Sequence, residues 1–311
     1  MPRILTLTLN PALDVSTAID RVEPVHKMRC CEPAQHPGGG GINVARVLHR
    51  LGADVTAIYP AGGATGAALT RLLQAEGVPA QVVPIAGETR QSFSVHEASS
   101  GQDWRFVLPG PTLADAELAA CRQALLAQVG GAWVVASGGL PPGVSEDTYA
   151  DLARTVRALG ARFVIDANGP ALAQALAAGV DVFKPSLREL RQLTGQPLVD
   201  EASQVAAARA LIDAGQVGLV AVSLGEAGAM VVTADGAWRA QALSVPVAST
   251  IGAGDSFVAG LVWGLAQGQA PERAFALALA TSAAAVTSAG TALADPADVA
   301  RLLPQVRVTR L

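Results

Sequence analysis

The segment Ser249-Thr250-Ile251-Gly252-Ala253-Gly254-Asp255 leads into a stretch where Val258, Leu261, Val262 and Leu265 recur at the period of an amphipathic helix. Two glycines and one carboxylate thus share the opening turn. Backbone N–H groups at a helix N-terminus have no partner inside the helix and favour anions. Asp255 has two readings there. As a first-turn acid it complements the helix dipole. Beside a glycine-lined amide cradle it can instead accept a proton from an attacking hydroxyl, while the amides of the turn hold a transferring phosphoryl group.

A second glycine-rich turn, Pro37-Gly38-Gly39-Gly40-Gly41-Ile42-Asn43, runs straight into a helix-period segment carrying Val44, Val47, Leu48 and Leu51. Consecutive glycines cost backbone entropy, and close approach of a ligand is the usual reason to keep them, although a flexible turn would read the same. Asn43 sets a polar side chain at the helix entry and favours the ligand. Ser223-Leu224-Gly225-Glu226-Ala227-Gly228 follows an apolar run, which places it at the carboxyl end of a strand, where open α/β sheets bind ligands. Asp181-Val182-Phe183-Lys184-Pro185-Ser186-Leu187-Arg188-Glu189 also ends a strand. Ser186 and Glu189 have the spacing of a capping box, a structural role, whereas Lys184 points to a phosphate contact. Of the 22 basic residues only Lys27 and Lys184 are lysine, a sign that a compact ammonium is wanted at both.

These turns need a scaffold. Short apolar runs at 4–9, 55–58, 81–83, 132–137, 162–166, 182–183 and 219–223 alternate with helix-period segments. The pattern predicts an α/β fold with a largely parallel central sheet flanked by helices, in one domain over residues 1–311. Two regions, about 14–31 and 88–108, break the rhythm. Residues 15–19 with 27–31, and 89–97 with 104–108, alternate polar and apolar side chains and predict a small antiparallel β lid. The outer face of such a lid suits a homodimer contact.

At 311 residues the chain can bury a large core without staples, and Cys30, Cys31, Cys121 and the scattered histidines show no metal-ligand spacing. A net charge of -4 argues against nucleic acid and anionic membranes as partners. No apolar run is long enough for a membrane span, and the run 4–9 is too short for a signal-peptide core, so a soluble cytoplasmic protein is expected. GxxxxGK[ST] is absent, and the first strand ends in Asn10-Pro11-Ala12-Leu13-Asp14 rather than GxGxxG. A P-loop and the dinucleotide fingerprint are both excluded.

At these residues the chain resembles the PfkB (ribokinase-like) carbohydrate kinases nearly end to end. Residues 38–43 are similar to the first family signature, and 249–260 (STIGAGDSFVAG) to the second, whose GAGD core is highly specific. TLTLNPALD, Lys27-Met28-Arg29, GGGGINVARVL, Thr89-Arg90-Gln91 and RFVLPG look closest to the family's 6-phosphofructokinases. Its 1-phosphofructokinases and tagatose-6-phosphate kinases, the neighbouring alternatives, more often carry GGKG where this chain has Gly38 to Gly41. The resemblance implies a ribokinase-like fold whose β lid helps form a dimer, and ATP-dependent, Mg2+-requiring phosphorylation of fructose 6-phosphate at its C1 hydroxyl. It implies Asp255 as base and Gly252, Ala253 and Gly254 as anion hole. Asp14, Gly39, Gly40, Gly41 and Asn43 would hold sugar hydroxyls, and Lys27, Arg29 and Arg90 the existing phosphate. Lys184, Ser186, Ser223, Leu224, Gly225 and Gly228 would face ATP, with Glu189 acting through Mg2+ and its waters. Ser249, Ile251, Ala285, Ser288 and Gly290 could offer carbonyls to K+. The family's Asn-x-x-Glu is here Ser186-Leu187-Arg188-Glu189, and Gly139 stands where serine is frequent. Outside the family, a non-catalytic sugar-phosphate or nucleotide binder is the competing reading; Asp255 speaks against it, because a pure binder gains nothing from a carboxylate aimed at a phosphate.

Overall fold

A computed structural model describes residues 2–288, 290 and 292–311. The chain begins β1 (Ile4–Leu7), β2 (Ala12–Ile19), β3 (Ala34–Gly38), α1 (Gly40–Arg50), β4 (Val55–Ala61), α2 (Gly63–Ala75) and β5 (Ala80–Pro84). It continues through β6 (Arg90–Glu97), β7 (Gln102–Val107), α3 (Asp115–Leu126), β8 (Trp133–Ser137), α4 (Thr148–Ala158), β9 (Arg162–Asp166) and α5 (Gly169–Ala178). Then come β10 (Val180–Phe183), α6 (Leu187–Thr194), α7 (Glu201–Asp213), β11 (Val217–Ser223), β12 (Ala229–Thr233) and β13 (Ala237–Ala240). Helices α8 (Ala253–Ala266), α9 (Pro271–Val286) and α10 (Pro296–Leu302) lead to β14 (Val308–Arg310).

Among the described residues the large sheet has ten strands in the order β14-β13-β12-β11-β10-β9-β8-β1-β4-β5. From β5 to β11 every pairing is parallel, and these are the strands expected from the apolar runs. An antiparallel margin, β12 to β14, extends the sheet beyond what the runs predicted. Alternate residues of one strand enter opposite cores. Val134 and Ala136 pack with Leu125 of α3 and Tyr149 of α4, while Val135 joins Leu48 of α1 and Leu261 of α8. Burial on both faces is why these strands read as unbroken apolar runs. The chain winds from β1 toward β5 on one side and toward β11 on the other, so a crevice opens outside the carboxyl ends of β1 and β8.

With only 4% aromatic residues, tight packing falls to small side chains. Helices α8 and α9 approach so closely that a Cβ on Gly260 would lie 2.8 Å from Ala278 Cα, and one on Gly264 2.7 Å from Ala274 Cα. No helix among the described residues is long and apolar enough to cross a membrane.

The lid is a four-stranded sheet in the order β3-β2-β6-β7. Two antiparallel pairs, β2 with β3 and β6 with β7, are joined by a parallel β2–β6 pairing. One boundary needs correction. Residues 27–31 are not a strand; β2 pairs instead with β3, further along the chain. The intervening loop is largely exposed, carries Pro24 and Pro33, and turns through Val25 at φ 73°. Proline offers no ladder donor, which disfavours pairing there. Cys31 N–H does reach β2, donating to the Ala18 carbonyl at 2.8 Å.

Candidate active site

Gly252 caps α8 at φ 75°, a left-handed conformation that glycine adopts without strain. A Cβ there would also come within 2.3 Å of Leu293 Cδ2. The turn directs Asp255 toward α1, where Asn43 Nδ2 donates to Asp255 Oδ2 at 2.8 Å. Burial, reinforced by the neighbouring Asp166 carboxylate, pushes the Asp255 pKa up to about 6; the Asn43 hydrogen bond, Lys184 and Arg105 pull the other way. An ordinary aspartate, with a reference pKa of about 3.9, would hold its proton less tightly.

Adjacent parallel strands deliver a row of polar groups at their carboxyl ends: Ser137 from β8, Asp166 from β9, Lys184 just past β10 and Ser223 from β11. Lys184 Nζ lies 3.2 Å from Asp166 Oδ1, and both side chains are largely withdrawn from solvent. Burial works to discharge Lys184, yet Asp166 and Glu189 together hold its pKa above the ordinary lysine value. Asp166 is itself raised by burial, against Lys184 and a Ser137 hydrogen bond. A Cβ on Gly254 would stand 3.6 Å from Lys184 Nζ, so the ammonium lies beside the turn that opens α8. Ser186 forms the expected capping box. Its Oγ accepts from Glu189 N–H at 3.2 Å and donates to Glu189 Oε2 at 2.8 Å, and its N–H donates to the same oxygen at 2.7 Å.

Two cavities meet at residues 253–255. One, of about 390 Å³, is polar, with Asp14, Asn43, Arg90, Arg105, Asp166 and Glu189 in its wall. The other, of about 630 Å³, carries Ser223, Gly225 and Gly228 beside apolar Leu243, Val245, Phe257 and Leu279. Asp255 faces the polar cavity, whereas Ala253 and Gly254 face the larger one. A single helical turn is therefore a wall common to both. A hydroxyl held in the first would meet a carboxylate, and a phosphate reaching in from the second would meet amide donors.

Most of the expected residues fall at this junction. Gly39 and Gly40 line the polar cavity, and a Cβ on Gly38 would lie 2.3 Å from the Asp14 carboxyl group. Burial raises the Asp14 pKa, opposed by Arg105, Arg90 and Arg46. Arg90 is pinned to the frame: Nε and Nη2 donate to the Asn10 carbonyl at 3.2 and 3.0 Å, and Nη1 to the Leu108 carbonyl at 3.2 Å. Other placements differ from expectation. Lys27 and Arg29 sit on the exposed loop after β2, outside the cavity wall, and Arg105 of β7 takes their place there. Gly41 answers to packing, since a Cβ would lie 2.5 Å from Thr8 Oγ1. Leu224 turns its side chain into the core, and its N–H donates to the Gly228 carbonyl at 2.8 Å. Ser249, Ile251 and Gly290 line a separate cavity of about 360 Å³ beside the lid. Ala285 and Ser288 are not in its wall, and the Ala285 carbonyl accepts from Ser288 N–H at 3.1 Å.

Neither Asp166 nor Ser137 is among the site residues expected from the sequence, although both end strands and obey the rule that points to Ser223. Asp166 and Glu189 are the carboxylates suited to a divalent cation. They face one cavity, and among the described residues no larger cluster of acidic, histidine or cysteine ligands forms. That donor set fits Mg2+, which is bound through one or two carboxylates with substrate phosphates and water completing its shell.

Residues 8–298 match the family described as pfkB family carbohydrate kinase. The chain is 46% identical over 301 residues to ATP-dependent 6-phosphofructokinase isozyme 2 of Mycobacterium tuberculosis strain H37Rv, covering 96% of this chain and 88% of that one. It is also similar to two crystal structures of phosphofructokinase-2 from Escherichia coli, one in complex with fructose-6-phosphate (37% identity) and one with potassium (38%). Each has a TM-score of 0.94 and covers 98% of this chain and 99% of its own.

Proposed function

Because the chain belongs to the pfkB family of carbohydrate kinases, we propose that it transfers the terminal phosphoryl group of ATP to the C1 hydroxyl of fructose 6-phosphate, giving fructose 1,6-bisphosphate and ADP. The observation that carries this reading is the shared turn: Asp255 opens into the polar cavity while Ala253 and Gly254 open into the larger, more apolar one.

In the polar cavity Arg90 and Arg105 hold the existing phosphate by charge-assisted hydrogen bonds, and Asp14, Asn43 and the backbone at Gly39 and Gly40 hold sugar hydroxyls. Asp255 takes the proton of the C1 hydroxyl as its oxygen forms a bond to phosphorus and the bond from phosphorus to the ADP oxygen breaks. The amides of Gly252, Ala253 and Gly254, with Lys184 beside them, meet the charge on the phosphoryl oxygens. Ser223, Gly225 and Gly228 border the nucleotide's space, whose apolar wall suits its base. Mg2+ held at Asp166 and Glu189 would offset negative charge on the ATP phosphates. Closure of the lid keeps water from the transferring group.

The whole chain acts as one catalytic unit in this reading, in the cytoplasm and as a homodimer through the lid. In support, edge strand β7 is exposed along its length, with Trp104 and Phe106 at 41% and 54% exposure. K+ binding near Ser249, Ile251 and Gly290 is part of the same proposal.

ADP release measured with fructose 6-phosphate, fructose 1-phosphate and tagatose 6-phosphate tests it. The highest kcat/KM is expected for fructose 6-phosphate. A preference for fructose 1-phosphate would reassign the acceptor, and no release with any of the three would leave a binding protein.

A further inference from the structure

Behind the polar cavity, Glu76 at the end of α2 receives two arginines from α1. Arg46 is 1% exposed. Its Nε donates to both Glu76 carboxylate oxygens at 3.0 and 2.9 Å, and its Nη2 to Oε1 at 2.6 Å. Its Nη1 donates to the Pro37 carbonyl at 3.2 Å and to Asn43 Oδ1 at 3.4 Å. Arginine carries donors alone, so the Asn43 atom facing it must be the carbonyl oxygen, and the amide nitrogen is left to face Asp255. The opposite orientation would set the Asn43 oxygen against the Asp255 carboxylate.

The second arginine reaches the other end of the turn. Arg50 Nη2 donates to Glu76 Oε2 at 3.0 Å, and its Nη1 donates to the carbonyls of Ala292 and Ala294. Those carbonyls flank Leu293, a buried leucine at φ 64°, and Leu293 is the side chain against which Gly252 packs. A leucine in the left-handed region persists only where its surroundings hold it. Neither arginine nor Glu76 lines either of the two cavities at the catalytic turn.

We propose that Glu76, acting through Arg46 and Arg50, positions both ends of the turn 252–255 for phosphoryl transfer. One arm runs through Asn43 to the Asp255 carboxylate, the other through Leu293 to the Gly252 cap. The inference rests on the kinase reading above.

Arg46→Lys keeps the charge and removes the planar fork; Glu76→Gln keeps the shape and removes the charge. Each is measured for kcat, both KM values and melting temperature, alone and on an Asn43→Ala background. Arg46→Lys is expected to lower kcat roughly 10-fold to 100-fold with both KM values unchanged. On the Asn43→Ala background that loss should nearly vanish, because the two residues act in series. Equal losses on both backgrounds, or a loss that follows melting temperature alone, would overturn the proposal. Should Arg46→Lys fail to fold, the same cycle with Glu76→Gln decides. Exchange of the Asn43 side-chain amide protons, followed by NMR, needs no turnover: faster exchange in Glu76→Gln is expected, and unchanged exchange counts against the tether. A wild-type chain that phosphorylates none of the three hexose phosphates sinks the kinase reading instead, and the amide exchange then judges the tether by itself.

Discussion

As the proposed base, Asp255 would meet two opposing demands, since a base must be free of its proton and a half-buried acid beside Asp166 holds on to it. With its pKa at about 6, kcat/KM should rise with pH through that value and level off above it. The same shift acts on stability. The folded state binds this proton more tightly than the unfolded chain does, so the group's contribution is complete below the ordinary aspartate value of 3.8 and is lost as pH rises through about 6. Asp255→Asn is therefore expected to remove several orders of magnitude of kcat while stabilising the fold at pH 8 by about 2–3 kcal/mol. Calorimetry should show a smaller gain at pH 5, and a gain independent of pH would contradict burial as the cause. Arg105→Ala should raise KM for fructose 6-phosphate roughly tenfold to a hundredfold and leave KM for ATP unchanged. Asp255 and Asn43 were legible because glycines and a polar group at a helix entry form a local signal. Arg105 belongs to the RFVLPG run, but its place beside Asp14 depends on which strands pair across the lid.

At the scale of elements, parallel strands buried on both faces announced themselves as apolar runs between helices. The β12–β14 margin did not, because hairpin-linked strands following one another break that alternation. The exchange of 27–31 for β3 in the lid has a similar origin: alternation suggests a strand but cannot choose its partner. Helices α8 and α9 lend themselves to a test of packing against propensity. Alanine in place of glycine within a helix gains about 1 kcal/mol of intrinsic preference. At Gly260 and Gly264, however, the added carbon would meet the α9 backbone at 2.8 and 2.7 Å. Overpacking costs about 1–3 kcal/mol, so Gly260→Ala and Gly264→Ala should each lower the urea midpoint. A raised midpoint would mean that α9 yields more easily than its close contacts imply.

For the molecule as a whole, a net charge of -4 coexists with a cavity where Arg90 and Arg105 stand among Asp14, Asp166, Glu189 and Asp255, so positive charge for an anionic ligand is confined to two guanidinium groups and is not a property of the surface. The fold class was legible from rhythm alone, whereas the meeting of two cavities at one turn was not, because it joins residues from 12 to 286. The exposed face of β7 bears on assembly. If the proposed lid dimer forms, Phe106→Glu is expected to convert it to monomer in sedimentation at micromolar concentration without changing its circular dichroism. A dimer that survives the change would place the contact elsewhere.

The carboxylate and the amides of the turn 252–255 come from the start of α8, while Arg90 and Arg105 come from β6 and β7. In the proposed reaction, reactivity and selectivity would thus be written in different stretches of chain. Under the proposed reaction, a change in the lid strands would alter which sugar phosphate is held and leave the group that takes the proton untouched.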